Sequence, residues 1–441
     1  MTSQAASSLA ARVAVRARSP VGVGLAGKLA EGVALCLFIT VLPRALGPDD
    51  FGRLALALAV VQIASASLTL GGPSTVSRFV PAQEGAERAG VARLLVRRMA
   101  QWRLALLVVA AIVAAGFAIA FPDRVPPGMA VLLLLAIALD GVAVLLAQAD
   151  LGLGRSVLWS YRIPLQTTVL VVAALCLAPA FGAWGAAAAV VVATGVSAIV
   201  AAFAVVPSLR RVRPARSLPP GLGRFAVLQG VNGFLALCMT RGGIVAVAWL
   251  HPSAAEVGYA GLAVGIAMAG VYAVAQAFAV QLPGLAALAT LDLAGAEARG
   301  RRLARAGAFV LAPGTVVLAA VLGPLLVLLA GEEYRPAAGA AVLALAMVPL
   351  APVTALVAQA ASLRLRPELT VMASAVGAIA FLIVVLTAVD PYGAEGASAA
   401  MVAGMAVTAL AGAALTRAVP RLVLALAAAA ALAICGLALI A

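Results

Sequence analysis

Four ionisable residues stand inside long apolar runs of this 441-residue chain: Lys28, Glu31, Asp140 and Arg241. A charge at the centre of a bilayer-spanning helix costs about 2.5–3.5 kcal/mol on insertion scales, so each is expected to face a partner or a wet cavity. Lys28 and Glu31 are three residues apart on one helix face, and can either neutralise each other or line a polar cavity. Arg241 has no acidic neighbour in sequence, and its planar guanidinium can hold a phosphate through two parallel hydrogen bonds. Asp140 reads either as the counter-charge of Arg241 or as a protonation site. Arg78, at the end of another apolar run, is a further candidate for meeting an anionic group, although a basic residue there is equally a topological signal.

Other patterns fail as chemistry. Gly22-Val23-Gly24-Leu25-Ala26-Gly27-Lys28-Leu29 satisfies both GxGxxG and GxxxxGK, but position 29 is Leu where a hydroxyl should hold magnesium, and the segment opens an apolar run with no strand before it. Its glycines read as close helix packing. Cys36, Cys176, Cys238 and Cys435 are scattered singly in apolar runs, which excludes a disulfide framework or a CxxC metal site. His251, the only histidine, has no acid or nucleophile cluster around it. No ATPase motif is present, and no cofactor, metal or catalytic residue is expected.

The elements that must position the charges follow from composition. The chain is 65% hydrophobic and 10% charged, with a mean hydropathy of +1.14, where a soluble domain is about half apolar and a quarter charged. Thirteen apolar runs are long enough to cross a hydrocarbon layer as helix: near 21–42, 54–77, 103–121, 129–149, 164–180, 184–206, 225–250, 257–281, 306–330, 338–360, 369–389, 393–415 and 422–441. They are numbered as spans one to thirteen. Sustained polar/apolar alternation is absent, which excludes a membrane barrel. Pro349 and Pro352 should bend span ten.

The basic residues set the orientation. With the N-terminus cytoplasmic, 24 of the 30 Lys and Arg fall on that side, including Arg103 and Arg162 at loop edges, and four on the other. The net charge of +14 is therefore topology, and a nucleic-acid partner is not expected. Span one reads as an uncleaved first helix.

Internal similarity divides the chain. Asp50-Phe51-Gly52-Arg53 aligns with Glu256-Val257-Gly258-Tyr259 at an offset of 206, and Phe181-Gly182-Ala183-Trp184-Gly185-Ala186 with Tyr392-Gly393-Ala394-Glu395-Gly396-Ala397 at an offset of 211. Both matches join corresponding spans in the same order. The expected fold is an all-α polytopic membrane protein. Two six-helix bundles are related by a pseudo-twofold axis along the membrane normal, with an additional C-terminal hydrophobic helix. The expected units are a cytoplasmic segment 1–20, a bundle 21–206, an Arg-rich linker 207–224, a bundle 225–416 and the extra helix 417–441. Such an architecture places a substrate path between the bundles.

Leu46-Gly47-Pro48-Asp49-Asp50-Phe51-Gly52, Thr69-Leu70-Gly71 through Arg78-Phe79-Val80, Glu256-Val257-Gly258-Tyr259 and Gly331-Glu332-Glu333-Tyr334 resemble the polysaccharide-biosynthesis (Wzx-type) flippases of the multidrug/oligosaccharidyl-lipid/polysaccharide exporter superfamily. The resemblance covers residues 20 to 416. It implies a multi-pass protein of the bacterial cell membrane that moves a polyprenyl-(pyro)phosphate-linked oligosaccharide from the cytoplasmic to the outer leaflet by alternating access. The partners it implies are that glycan substrate, membrane lipids, and glycan polymerases or glycosyltransferases. Two features depart from the family pattern. Thr240-Arg241-Gly242-Gly243 stands where members often carry an acid, and span thirteen is an odd helix that either crosses the membrane or lies at its interface. Two rival functions are an ion-coupled multidrug antiporter of the same superfamily, which needs a coupling carboxylate, and a membrane glycan enzyme, which needs a sizeable outside loop. Under the flippase reading Lys28, Glu31, Asp140, Arg241 and Arg78 are substrate-contacting residues. At an offset of 206, Arg241 stands level with Leu35, two turns above Lys28, so Lys28 and Arg241 would project from one face of equivalent helices as a two-step path for an anionic headgroup.

Overall fold

The computed structural model describes residues 20–69, 71–80, 83, 85–120, 126–155, 157–251 and 253–440. The N-terminal segment 1–19, with its three arginines, lies outside them, and so does the side chain of Lys28. Helix is the only regular secondary structure among the described residues, and ten helices are long and apolar enough to cross a membrane.

Three of these helices are far too long for one crossing: Pro20–Thr69, Val157–Arg210 and Glu368–Thr416. Fifty helical residues would reach about 75 Å, against a hydrocarbon layer of about 30 Å. Each carries one residue off the helical conformation: Gly47 (φ 70°, ψ 173°), Gly182 (φ 54°, ψ −128°) and Gly393 (φ 50°, ψ −120°). The chain reverses there. The rings of Phe38 and Phe51 lie 5.7 Å apart, where thirteen residues of straight helix would separate them by about 20 Å. Divided at the three glycines, the ten helices become the thirteen expected crossings.

The two halves repeat in atomic detail. Span four, Pro127–Gly152, and the broken span ten, Ala338–Leu345 plus Met347–Leu363, begin and end 211 positions apart. The turns that follow them carry the same backbone hydrogen bonds. Leu153, Gly154 and Arg155 donate to Ala149, Leu151 and Asp150, and Arg364, Leu365 and Arg366 to Ala360, Ser362 and Ala361. Gly154 (φ 86°) is answered by Leu365 (φ 54°). After the reversals, Gly185 is pressed on the backbone of Leu177 and Ala178, and Gly396 on that of Ala388 and Val389, with no room for a Cβ at either.

The halves meet through equivalent residues. A Cβ on Gly52 would lie 2.8 Å from the nitrogen of Gly258 and 3.1 Å from the carbonyl of Ala254, and one on Gly258 would strike the carbonyl of Pro48. One on Gly261 would lie 2.5 Å from the Cβ of Ala55. Gly52 and Gly258, and Ala55 and Gly261, are 206 positions apart, and the Gly52–Ala254 contact is mirrored by Gly258–Pro48, since Ala254 stands 206 positions after Pro48; reciprocal contact of this kind arises at a twofold axis. Spans two and eight therefore cross on the pseudo-twofold axis, packed through small residues as membrane helices do. The Gly261-xxx-Gly265 face belongs to this packing, with Gly265 against Ile39.

Span ten is interrupted at Ala346, next to Pro349 and Pro352, which cannot donate to the carbonyls one turn earlier. Span thirteen, Arg421–Ala438, buries Val423, Ala427, Ala430 and Ile434 along one face. It packs beside span nine and both segments of span ten. Eighteen residues of helix reach about 27 Å, and by length and composition it is a candidate for crossing the membrane.

Candidate functional site

Span seven, Leu222–Leu250, presents Arg241 half-buried. The two residues that follow seat the helix in the second bundle: a Cβ on Gly242 would lie 3.3 Å from Phe381 of span eleven, and one on Gly243 3.2 Å from Ala397 of span twelve. Asn232 accepts a hydrogen bond from Ser374 at 2.8 Å, fixing the same face lower down. Successive residues turn by about 100° around a helix, so Arg241 is swung off the Gly243 packing line. Its Nε is buried without a hydrogen-bond partner, and the side chain has no ion pair among the described residues.

Asp140 is elsewhere. Its carboxylate lies 3.5 Å from the Nη1 of Arg162 and 3.4 Å from the amide nitrogen of Gln166, both on span five, and Arg162 donates to Gln166 Oε1 at 3.0 Å. The reading of Asp140 as the counter-charge of Arg241 is therefore corrected: its cation is Arg162, inside the first bundle. The placement of Arg162 and Arg103 at loop edges is corrected with it. Helix Gly85–Ala120 begins well before the apolar run of span three, so Arg103 sits in its middle and is 9% exposed, donating to the carbonyl of Gly141. Arg103 and Arg162 are charged residues that counting apolar runs assigned to loops, because a run shows where hydrophobicity ends and not where the helix does; Gln166, inside the run of span five, is uncharged and was not singled out.

Arg78 lies on a short helix, Gly72–Phe79, beyond span two. Burial pulls its guanidinium below the usual value, and its Nε is buried without a partner. Phe79 meets the ring of Phe225 at the start of span seven, at 5.4 Å. Glu31 is partly exposed on span one. Gly27, one turn earlier, packs with a Cβ position 2.5 Å from Ser160 of span five, so the glycine-rich segment is helix against helix.

Three of the four quoted sequence motifs, those of Phe51, Tyr259 and Tyr334, gather at the opposite end from the Arg-rich loops. Tyr334 is fully buried between Phe51 and Tyr259, with ring centroids 6.2 and 5.9 Å away. The Tyr259 hydroxyl donates to the carbonyl of Glu333 at 3.2 Å, and Arg44 to the carbonyl of Leu328 near the end of span nine. Glu256 accepts from the nitrogen of Ala394 at 2.7 Å, holding the start of span twelve at its reversal. His251 accepts a bond from the nitrogen of Ser253 at 3.2 Å, a local turn contact. At the Arg-rich end, Arg364 holds Glu297 through two nitrogens at 2.6 and 3.0 Å and the carbonyl of Thr416 at 2.7 Å. The hydrogen bond to the Glu297 carboxylate raises the Arg364 guanidinium above its ordinary value.

No protein-family model matches the chain, and no curated protein matches it in sequence. Solved structures do match over nearly its whole length. The lipid II flippase MurJ in an inward closed conformation superposes with a TM-score of 0.64 at 11% identity, covering 94% of this chain and 91% of that one. An inward-facing multidrug resistance MATE family transporter of the MOP superfamily gives 0.61 at 17%, covering 93% and 99%. The eukaryotic MATE transporter AtDTX14 gives 0.58 at 14%, covering 92% and 100%. These neighbours are a flippase and transporters rather than enzymes, and the chain has the fold that they share.

Proposed function

We propose that this protein is a flippase that carries a polyprenyl-(pyro)phosphate-linked oligosaccharide from the cytoplasmic to the outer leaflet by alternating access. In this reading halves 21–206 and 225–416 rock about the axis crossed by spans two and eight, and residues 207–224 link them. The Arg-rich loops are cytoplasmic. The observation that carries the reading is Arg241: a guanidinium within an apolar span, without a partner among the described residues, in a fold shared with a lipid-linked-substrate flippase. A permanent cation left unpaired in a membrane interior is costly, and an anionic headgroup in transit supplies the missing partner. Lys28 and Glu31 on span one, and Arg78 near the entrance, complete the path. Asp140, held by Arg162, acts from within the first bundle and tempers the charge only at a distance.

The test is the pair Arg241→Ala and Arg241→Lys, assayed for surface glycan assembly in cells and for membrane abundance. Arg241→Ala should lower transport by more than about tenfold, roughly 1.4 kcal/mol, at unchanged abundance. Arg241→Lys should recover only part of it, because a point charge lacks the two-pronged geometry. An Arg241→Ala protein that still supports glycan assembly overturns the role of Arg241. Proton- or sodium-driven efflux of small cations by vesicles containing the protein, without glycan transport, would favour the MATE-type antiporter instead.

A further inference from the structure

The two halves leave an open cleft of about 440 Å³ between the ends of spans one and nine. Thr40, Val41, Arg44 and Ala45 line it on one side, and Leu328 and Leu329 on the other. It lies at the end opposite the Arg-rich loops, one turn before the reversal at Gly47. Arg44 is exposed there. One of its nitrogens donates to the carbonyl of Leu328 in the last turn of span nine, where a cation suits the helix C-terminus. The rest of the guanidinium has no partner among the described residues, and no acidic side chain lines the cleft. Of the acids at this end, Asp50 is paired with Arg53 and Glu332 with Arg335.

Both helices present an apolar face behind the cleft. Val33 and Leu37 stand eleven and seven residues before Arg44, within about 20° of it around the helix, and Val317 and Val321 stand in the same relation to Leu328. All four are exposed. Spans one and nine both run toward this end, so two apolar stripes lead back from the cleft for about 16 Å along the crossing. Neither topology nor the repeat calls for the arginine between them. It is one of four basic residues that the sequence places at the end depleted of them, and the position 206 residues on is Leu250, apolar and exposed.

We propose that this cleft binds the headgroup phosphate of one anionic phospholipid, with the free nitrogens of Arg44 as donors and the acyl chains along the two apolar stripes. A cation above apolar walls has the form of a lipid site rather than of a free-anion site, and arginine takes phosphate through two parallel hydrogen bonds. The cleft stands where two crossing helices leave the hydrocarbon, which is the level of lipid headgroups. Because its walls come from both halves, a bound lipid ties them together at this end and stabilises the state in which Gly52 meets Gly258. With the Arg-rich loops cytoplasmic, as proposed above, the lipid belongs to the outer leaflet; binding itself rests on neither that orientation nor the flippase reading.

The test uses the full chain purified in detergent, with thermal unfolding and native mass spectrometry in phosphatidylglycerol, phosphatidylcholine or inorganic phosphate. Phosphatidylglycerol should be retained at about one molecule per chain and should raise the unfolding temperature, as linkage requires of a ligand bound to the folded state. Phosphatidylcholine, whose choline cancels the phosphate charge, and inorganic phosphate should do neither. Arg44→Gln should abolish the retained lipid and its stabilisation, and Arg44→Lys should weaken binding about tenfold, because the forked donors are lost. Ala45→Trp narrows the cleft while keeping the guanidinium, and should weaken binding as well. Arg335→Gln removes another exposed cation at the same end and should leave binding unchanged. The proposal is overturned if phosphatidylglycerol binds no better than phosphatidylcholine, or if its binding survives Arg44→Gln or is lost equally in Arg335→Gln. Equal stabilisation by inorganic phosphate also overturns it, since that marks a free-anion site.

Discussion

Gly182 and Gly393 reverse the chain with nearly the same backbone angles, in a region of positive φ and negative ψ that only glycine enters without strain. Their surroundings differ. A Cβ at Gly182 would find the Nη1 of Arg53 at 3.4 Å, the far end of a flexible side chain, whereas a Cβ at Gly393 would strike the Glu256 carboxylate that holds the nitrogen of Ala394. Alanine should therefore cost about 1–3 kcal/mol in backbone strain at either site. Gly393→Ala should lose more, because it also displaces the Glu256 hydrogen bond. Thermal unfolding of the two purified variants measures the difference, and a larger loss in Gly182→Ala would contradict it.

At the scale of elements, the Arg-rich end is tied by a forked arginine–carboxylate pair. Arg364, in the turn after span ten, reaches the start of the span-nine helix through Glu297 and the last turn of span twelve through the Thr416 carbonyl. Its own side chain is 29% exposed and Glu297 13%, so solvent screens the pair only partly. Hydrogen bonds between charged groups in such settings contribute about 1.5–3 kcal/mol. Arg364→Ala should lower stability by about that amount, and Glu297→Gln by less, since the amide still accepts from Arg364. Limited proteolysis of the loop before span nine reports the same loss locally, and cleavage there should accelerate in Arg364→Ala.

Across the whole molecule, the contact of Gly52 with Gly258 and of Ala55 with Gly261 closes the two halves at the end opposite the Arg-rich loops. If the protein works by the alternating access proposed above, opening that end must part these residues. A chain freed of its four cysteines and carrying Ala55→Cys with Gly261→Cys places two thiols across the axis, and a slight separation of the helices gives the Cβ spacing that a disulfide needs, about 3.5–4.5 Å. Oxidation should then cross-link spans two and eight and stop transport, with reductant restoring it. Undiminished transport by the fully cross-linked protein would mean that the halves do not separate there.

The thirteen apolar runs, the doubling of the chain and the places where one span gives way to the next could be read from residues alone. Hydrophobic length and Arg placement are one-dimensional properties, whereas which of the 42 glycines take positive φ and reverse the chain is decided by the packing. The repeat was legible at Gly52/Gly258 because residues lying on a symmetry axis must stay small in both copies. Arg241 could be found as a charge inside an apolar run. Arg103 and Arg162 could not, because both sit at the edges of such runs and only the lengths and tilts of the packed helices decide that they turn inward toward Asp140. Pairing is likewise a tertiary fact. Asp140 and Arg241 lie a hundred residues apart in sequence, as open to each other as to any other charge, until the packing of spans four and five gives Asp140 to Arg162 and leaves Arg241 without a protein partner among the described residues.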